Sequence, residues 1–272
     1  MAAEDTSVLY ATTPEGITTI TLNRPHVRNA VNASTATKLA HALAAFDRDD
    51  TQKVCILTGA GDTFCAGYDL HEVASSGAPS TRPVDALNGG NPAPMGPSRM
   101  TLGKPLIAAV AGHAVAGGLE LSLLADLRVC DDTAVFGVFC RRFGVPLIDG
   151  GTVRLPRVVG LGRAMDMILT GRPVGAAEAL AFGLANRVVA RGRALEEARE
   201  VARSLLGFPQ LCMRGDRESA YYAAYEAGGL LDALRHEYEG GARMVELETI
   251  AGAARFDKGE GRGGSFKPKG RL

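Results

Sequence analysis

Lys104 to Asp126 read KPLIAAVAGHAVAGGLELSLLAD. The stretch opens on an apolar run, Leu106 to Val110, that suits a buried strand. A turn of small residues follows, and the pair Gly117-Gly118 then starts a second apolar segment that suits a buried helix. A strand passing into a helix through glycines is the building unit of an α/β protein. One carboxylate, Glu120, stands inside the helical half. Burying an unpaired carboxylate costs several kcal/mol. Glu120 is therefore either paired, with an arginine or at a helix end, or turned toward a ligand.

Upstream, Ser7 to Tyr10 and Ile17 to Leu22 read as two strands joined at Glu15-Gly16, which predicts a hairpin. Arg24-Pro25 stops the second. Ala33 to Asp49 places Ala36, Leu39, Ala40, Leu43 and Phe46 at helical spacing. Val54 to Thr58 is a short apolar strand closed by Gly59-Ala60-Gly61, and Val129-Cys130 and Ala134 to Phe136 look like further short strands. Ala74 to Ser98, rich in Ser, Pro and Gly, reads as a mobile loop. After Gly162 the pattern turns helical: Arg163 to Leu169, Ala176 to Phe182, Ala194 to Leu206, and a long stretch from Arg214 to Ala253. The Gly- and Lys/Arg-rich tail GEGRGGSFKPKGRL is expected to fray. Strands alternating with helices, then helices alone, describe an α/β core over residues 1–200 and a helical part over 201–272.

Composition narrows the function. The chain has 272 residues, 46% of them hydrophobic, enough for one large core. Lys+Arg and Asp+Glu balance at 30 each, so charge does not point to nucleic acid or to an anionic membrane surface. No uncharged apolar run reaches the about 18 residues of a membrane span. The N-terminus lacks a charged segment followed by an apolar one, so no secretory signal is expected. The five cysteines, Cys55, Cys65, Cys130, Cys140 and Cys212, form no C-x-x-C pair. They read as reduced thiols, not as a zinc site, and suggest a cytoplasmic protein.

Two glycine-rich turns carry the chemistry: TGAGDTFCAGYDL, Thr58 to Leu70, and AGHAVAGGLELSLLAD, Ala111 to Asp126. In each, small residues let the backbone approach a ligand, with N–H groups free at a helix start. Side by side, they could aim two N–H donors at one oxygen, as an oxyanion hole does for a thioester enolate. Each is also an ordinary tight connection of an α/β fold. Neither is a P-loop, and Gly59-Ala60-Gly61 does not continue into a dinucleotide fingerprint.

The ordered set TLNRPHVRNAVN, FCAGYDL, KPLIAAVAGHAVAGGLELSLLADLRV, GVPLIDGGTVRLPRVVG and LTGRPVGAAEALAFGLANRVV resembles the crotonase, or enoyl-CoA hydratase/isomerase, family over roughly residues 7 to 256. The resemblance implies a ClpP/crotonase-like spiral of β-β-α units with a C-terminal helical trimerisation region. It also implies a homotrimer or homohexamer and an acyl-CoA thioester as substrate. No separate cofactor or metal is implied, because coenzyme A is part of the substrate. Residue by residue, the backbone N–H groups of Tyr68 and Gly117 correspond to the oxyanion donors. Arg28, Ala66, Asp69 and Leu70 correspond to segments that hold CoA. Glu120 corresponds to the first catalytic carboxylate.

One departure stands out. Hydratases of this family place a second glutamate twenty residues after the first, and here that position is Cys140, in FGVFCRRFGVP. Hydration is best served by two groups, one activating water and one delivering a proton to the α-carbon. Arg141 and Arg142 could lower the Cys140 thiol; a buried inert thiol is the other reading. Asp149, in PLIDGGT, lies in the loop where some relatives carry a catalytic aspartate, within about a residue of that register; alternatively it caps the helix starting near Gly151 or pairs with Arg154. His113 and His71 read as supporting residues.

The resemblance thus implies a lyase or isomerase of acyl-CoA metabolism, with Glu120 and Asp149 moving protons. A non-catalytic acyl-CoA-binding protein and a crotonase-fold thioester hydrolase or decarboxylase remain as alternatives. The apolar residues Tyr221, Tyr222, Leu230, Leu231, Leu234 and Met244 exceed what one small helical part needs, which predicts an oligomer.

Overall fold

The structure, a computed structural model, describes residues 6–76, 84, 92–259 and 261. The tail beyond Gly259, Gly261 excepted, and the middle of the Ala74–Ser98 segment lie outside these residues. The chain divides into two compact units, Met1–Ala202 and Arg203–Leu272.

In the first unit the predicted hairpin is present: β1 (Val8–Thr12) pairs antiparallel with β2 (Ile17–Leu22), Val8 opposite Leu22. From β2 the sheet continues in parallel through β3 (Val54–Gly59), β4 (Leu106–Val110), β6 (Leu127–Asp131) and β9 (Arg187–Val189). A second sheet holds β5 (His113–Val115), β7 (Val135–Gly137) and β8 (Val174–Gly175). β3 and β4 are buried along nearly their whole length, which is why they read as continuous apolar runs instead of alternating ones.

Successive segments repeat one scheme. β4 lies in the first sheet, β5 in the second, and α3 (Gly117–Leu124) follows. β6 and β7 repeat it, leading through a 3-10 turn at Phe139–Phe143 into α4 (Gly151–Val159). Earlier, β3 runs on to Cys65, bridged to Ala114 of β5, before α2 (Leu70–Ser76). β2 runs on to Val31, bridged to Tyr68, before α1 (Ala33–Arg48). This stagger is a spiral of β-β-α units. α1 is capped by Asn32, whose Oδ1 accepts the N–H of Thr35 at 2.9 Å, and buries Leu39, Leu43 and Phe46 against the core. α5 (Leu161–Thr170), α6 (Ala176–Phe182) and α7 (Ala194–Leu206) follow.

Three expectations are corrected. The region after Gly162 is not helical alone, since it contains β8 and β9; strands of two and three residues are too short to set a period-two pattern. Part of the segment taken for a loop is ordered: Ser75 and Ser76 end α2, Pro97–Arg99 form a 3-10 turn with Pro97 and Ser98 buried, and Met95 just before it is buried too. The long helical stretch from Arg214 is interrupted at Gly228-Gly229.

In the second unit the helices are α8 (Gln210–Tyr225), α9 (Leu230–Met244) and α10 (Ile250–Asp257), with a π turn at Val245–Thr249. Tyr222 stacks on His236 with ring centroids 3.8 Å apart and donates to Asp232 at 3.0 Å. Met244 packs toward Gly215. These two residues are thus used inside the unit, whereas Leu230, Leu231 and Leu234 are exposed.

Candidate active site

The two glycine-rich turns meet. The Cys65 N–H donates to the His113 carbonyl at 2.8 Å, and the Val115 N–H to the Cys65 carbonyl at 3.1 Å. Gly67, at φ +101°, lies so close to the second turn that a Cβ there would sit 3.0 Å from the Gly117 nitrogen. At Gly118 a Cβ would fall 2.1 Å from the Cys65 carbonyl oxygen. Glycine at both positions is therefore a steric requirement. Ala116, just before α3, takes φ +53°, a left-handed conformation that a non-glycine residue adopts at a cost. The N–H groups of Tyr68 and Gly117 donate to no acceptor among the described residues.

Both turns open on one cavity of about 660 Å³, mostly apolar in its lining. Arg28, Ala66, Tyr68, Leu70, Gly117, Glu120, Cys140 and Asp149 all line it. Asp69 does not: its carboxylate is bound to Arg24 at 2.9 Å and to the His71 N–H at 3.2 Å. Arg24 also donates to the Ala30 carbonyl at 2.6 Å, so Asp69 fixes the segment that carries Arg28. His113 lines the cavity edge-on to Phe139, while His71 sits in α2 away from the lining.

Glu120, on α3, is 2% exposed. Its Oε1 accepts the backbone N–H groups of Asp149 at 2.9 Å and Gly151 at 2.8 Å. It thus caps the start of α4 and at the same time faces the cavity, so the two readings of this residue hold together. A Cβ on Gly151 would come 2.9 Å from Glu120, which is why glycine opens α4. Burial, followed by the charge of Asp149, raises the Glu120 carboxyl to about 7, against the lowering effect of the two N–H groups.

Asp149 is 4% exposed. It does not cap α4, whose N-cap is Gly150 without a side-chain bond. Its Oδ1 instead accepts the Met95 N–H at 3.0 Å and a short hydrogen bond from the Ser98 hydroxyl. Arg154 donates to the Asp149 carbonyl at 3.3 Å and to the Ser98 carbonyl at 2.8 Å. Burial raises the Asp149 carboxyl, opposed by Ser98, Met95, Arg99 and Arg154. Glu120 and Asp149 are therefore neighbouring carboxyls that disfavour each other's charge.

Cys140 sits in the 3-10 turn and is 6% exposed. Burial and the Glu120 charge push its thiol up, and the neighbouring Arg141 does not reverse this. Of the two readings of Cys140, these surroundings favour the buried thiol over activation by the adjacent arginines. Met95 and Ser98 were not legible as site residues. They lie 54 and 51 residues from Asp149 in a breaker-rich segment, with no motif to connect them. Among the described residues no group of three or more His, Cys, Asp or Glu side chains is arranged to hold a metal ion, and no helix is long and apolar enough to cross a membrane.

The family model described as enoyl-CoA hydratase/isomerase matches residues 12–227. A carnitinyl-CoA dehydratase of Escherichia coli K12 is 38% identical over 215 residues, covering 77% of this chain and 78% of that protein. A second, from Proteus mirabilis, is 36% identical over 211 residues, with the same coverage. An enoyl-CoA hydratase structure from Mycobacterium marinum superposes with a TM-score of 0.83 at 31% identity, covering 93% of this chain and 96% of that one. A Geobacillus kaustophilus structure in the same series matches with a TM-score of 0.83 at 30% identity and 99% coverage of both chains. The staggered β-β-α spiral, the paired glycine turns and these matches agree, and the chain belongs to the enoyl-CoA hydratase/isomerase family, with its crotonase fold.

Proposed function

We propose that the protein adds water to, or removes it from, the Cα–Cβ bond of an acyl-CoA thioester. The observation that carries this reading is the pair Glu120 and Asp149, two buried carboxyls with raised proton affinity, on a cavity also lined by Tyr68 and Gly117, whose N–H groups donate to no acceptor among the described residues. Paired carboxyls whose environments push their ionisations apart suit an acid and a base.

In the dehydration direction, ionised Asp149 takes the proton from Cα. Burial raises its carboxyl, but Arg99, Arg154 and the Ser98 hydroxyl favour its charged form and that charge in turn raises Glu120, so Asp149 serves as the ionised partner in this scheme. The thioester oxygen becomes an enolate held by the N–H groups of Tyr68 and Gly117, which would serve as an oxyanion hole. Protonated Glu120 gives its proton to the departing β-hydroxyl, which leaves as water as the double bond forms. Hydration is the reverse. Cys140, held as a thiol at the position the family resemblance assigns to a second glutamate, has no proton-transfer role in this scheme. Arg28, Ala66 and Leu70 hold the CoA part, and Asp69 supports Arg28 from behind. Assembly into a homotrimer or homohexamer, with a cytoplasmic location, completes the reading. It is supported by the exposed leucines of α9 and by five cysteines that are all free thiols.

The test is a panel of 2-enoyl- and 3-hydroxyacyl-CoA thioesters with products identified by mass spectrometry. Interconversion by a mass of water is expected. Release of free CoA or carbon dioxide, or no product from any thioester, would overturn the reading.

A further inference from the structure

Arg142 is the cavity-lining charge that the proposed reaction leaves unused. It follows Cys140 by two residues in the 3-10 turn Phe139–Phe143. Its guanidinium lies over the Phe139 ring at 4.9 Å and over the Phe143 ring at 5.7 Å. Such stacking holds the planar group in a fixed orientation while leaving its outer N–H pair available. Its one hydrogen bond among the described residues is a long one, from Nε to the Phe139 carbonyl at 3.5 Å, and no described carboxylate neutralises it. The cations that act on Asp149 are instead Arg99 and Arg154. Arg142 is exposed at the cavity wall beside the apolar Phe139, Phe143 and Val145, and an oriented guanidinium there that no described carboxylate pairs is a receptor for a planar anion.

The anion has two possible carriers in a CoA thioester: the CoA phosphates and the acyl chain. Distance along the chain favours the acyl group. A 3-10 turn rises about 2 Å per residue, so Arg142 stays within a short acyl chain's length of Cys140 and of Glu120 beside it. The CoA phosphates are separated from the thioester by the whole pantetheine arm. Resting on the reading given under the proposed function, we propose that the substrate's acyl chain ends in a carboxylate and that Arg142 binds it as a bidentate ion pair.

The experiment compares the affinities of three ligands by calorimetry, with the wild-type and Arg142-variant pockets both carried on a Glu120→Gln background so that turnover adds no heat. Glutaconyl-CoA carries a terminal carboxylate, 2-pentenoyl-CoA has the same chain length without it, and carnitinyl-CoA carries a cationic trimethylammonium group. Glutaconyl-CoA is expected to bind wild type most tightly and carnitinyl-CoA least. In Arg142→Gln, glutaconyl-CoA should lose about 10- to 100-fold in affinity, the scale of a charge-assisted pair, while 2-pentenoyl-CoA stays within about threefold. Arg142→Lys should recover part of the loss, since a point charge replaces a fork. Equal losses for glutaconyl- and 2-pentenoyl-CoA would overturn the proposal by assigning Arg142 to the CoA part. No loss for either would overturn it by leaving Arg142 a solvated rim residue. In both of those cases thioester binding and turnover would still uphold the proposed function, whereas failure of every thioester to bind wild type would overturn both.

Discussion

Glu120 Oε1 accepts the backbone N–H of Asp149 at 2.9 Å, so one cavity carboxyl sets the position of the other. The same oxygen takes the Gly151 N–H at 2.8 Å, leaving Oε2 without a hydrogen bond among the described residues. Glu120→Gln keeps an acceptor for both N–H groups but removes the acid. Its turnover is expected to fall by about 10²–10⁴-fold, with thioester affinity nearly unchanged. Glu120→Ala should in addition lose about 2 kcal/mol of stability or more, because two buried N–H groups lose their partner. Kinetics and thermal unfolding of the two variants separate these effects. Full turnover in Glu120→Gln would sink the acid role.

The pH dependence follows from the direction of the shift. Burial and then the Asp149 charge raise Glu120 from 4.5 to about 7, so the folded state holds that proton more tightly than the unfolded chain does. The stability contributed by this group is fully present below about 4.5 and is lost as pH rises through about 7. Relative to Glu120→Gln, wild type should therefore lose on the order of 3 kcal/mol across that window. Dehydration should slow above pH 7 as the acid ionises. Parallel stability–pH curves for the two proteins would contradict the assignment.

The contact between the two glycine turns is equally open to test. A methyl group at Gly118 would sit 2.1 Å from the Cys65 carbonyl oxygen, which is backbone and cannot rotate aside. Gly118→Ala must push the turns apart, at about 1–3 kcal/mol for overpacking, and in doing so misplaces the Gly117 N–H. Reduced stability together with reduced turnover is expected. Gly117→Ala meets instead the Met95 side chain, with Sδ at 2.5 Å, which can swing away. A milder loss of stability is expected there.

What the residues alone disclosed about this site was what lies close in the chain. The strand, turn and helix from Leu106 to Leu124 could be read directly, because burial on all sides makes the sequence uniformly apolar and glycines mark where backbones touch. The hairpin was legible for a similar reason, since β2 alternates threonine with isoleucine and leucine. The role of Asp149 was not settled by its own neighbours. Those neighbours suggested a helix cap, but Gly150 takes that place, and the carboxylate turns to Met95 and Ser98. Hydrogen bonds from side chain to distant backbone leave no periodic trace, so a segment rich in Pro and Gly looked like a loop throughout. Asp69, likewise, fitted a ligand-binding motif by position yet is held by Arg24.

The helical second unit gives a prediction about assembly. α8, α9 and α10 contain no buried residue, while Leu230, Tyr238 and Ile250 are 76%, 75% and 72% exposed. Helices without a buried face draw little stability from tertiary packing. The protein is expected to be an oligomer at micromolar concentration by light scattering. Substituting Leu230 and Leu231 with Asp should lower both oligomer mass and thermal stability. A monodisperse wild-type monomer would contradict this.

Cys140 and Asp149 make opposing claims to the second proton-transfer role, and their environments favour Asp149. The thiol is raised by burial and by Glu120, and remains a weak acid across the neutral range. Asp149 lines the same cavity with a carboxyl that burial raises and that Ser98, Met95 and two arginines pull back toward ionisation. Cys140→Ser should therefore stay within about threefold of wild-type turnover, while Asp149→Asn should lose about 10²–10⁴-fold. Asn keeps an acceptor for the Met95 N–H and the Ser98 hydroxyl, so the segment over Gly117 should stay in place and thioester affinity should persist. Cys140→Glu tests the same point from the other side. A third carboxyl beside Glu120 raises the proton affinity of all three, since like charges in one buried site disfavour each other. If Asp149 already fills the role, Cys140→Glu should not accelerate hydration of 2-enoyl thioesters, and its alkaline limb should move to higher pH. A slow wild type that Cys140→Glu accelerates tenfold or more, with Asp149→Asn unchanged, would transfer the role from Asp149 to position 140.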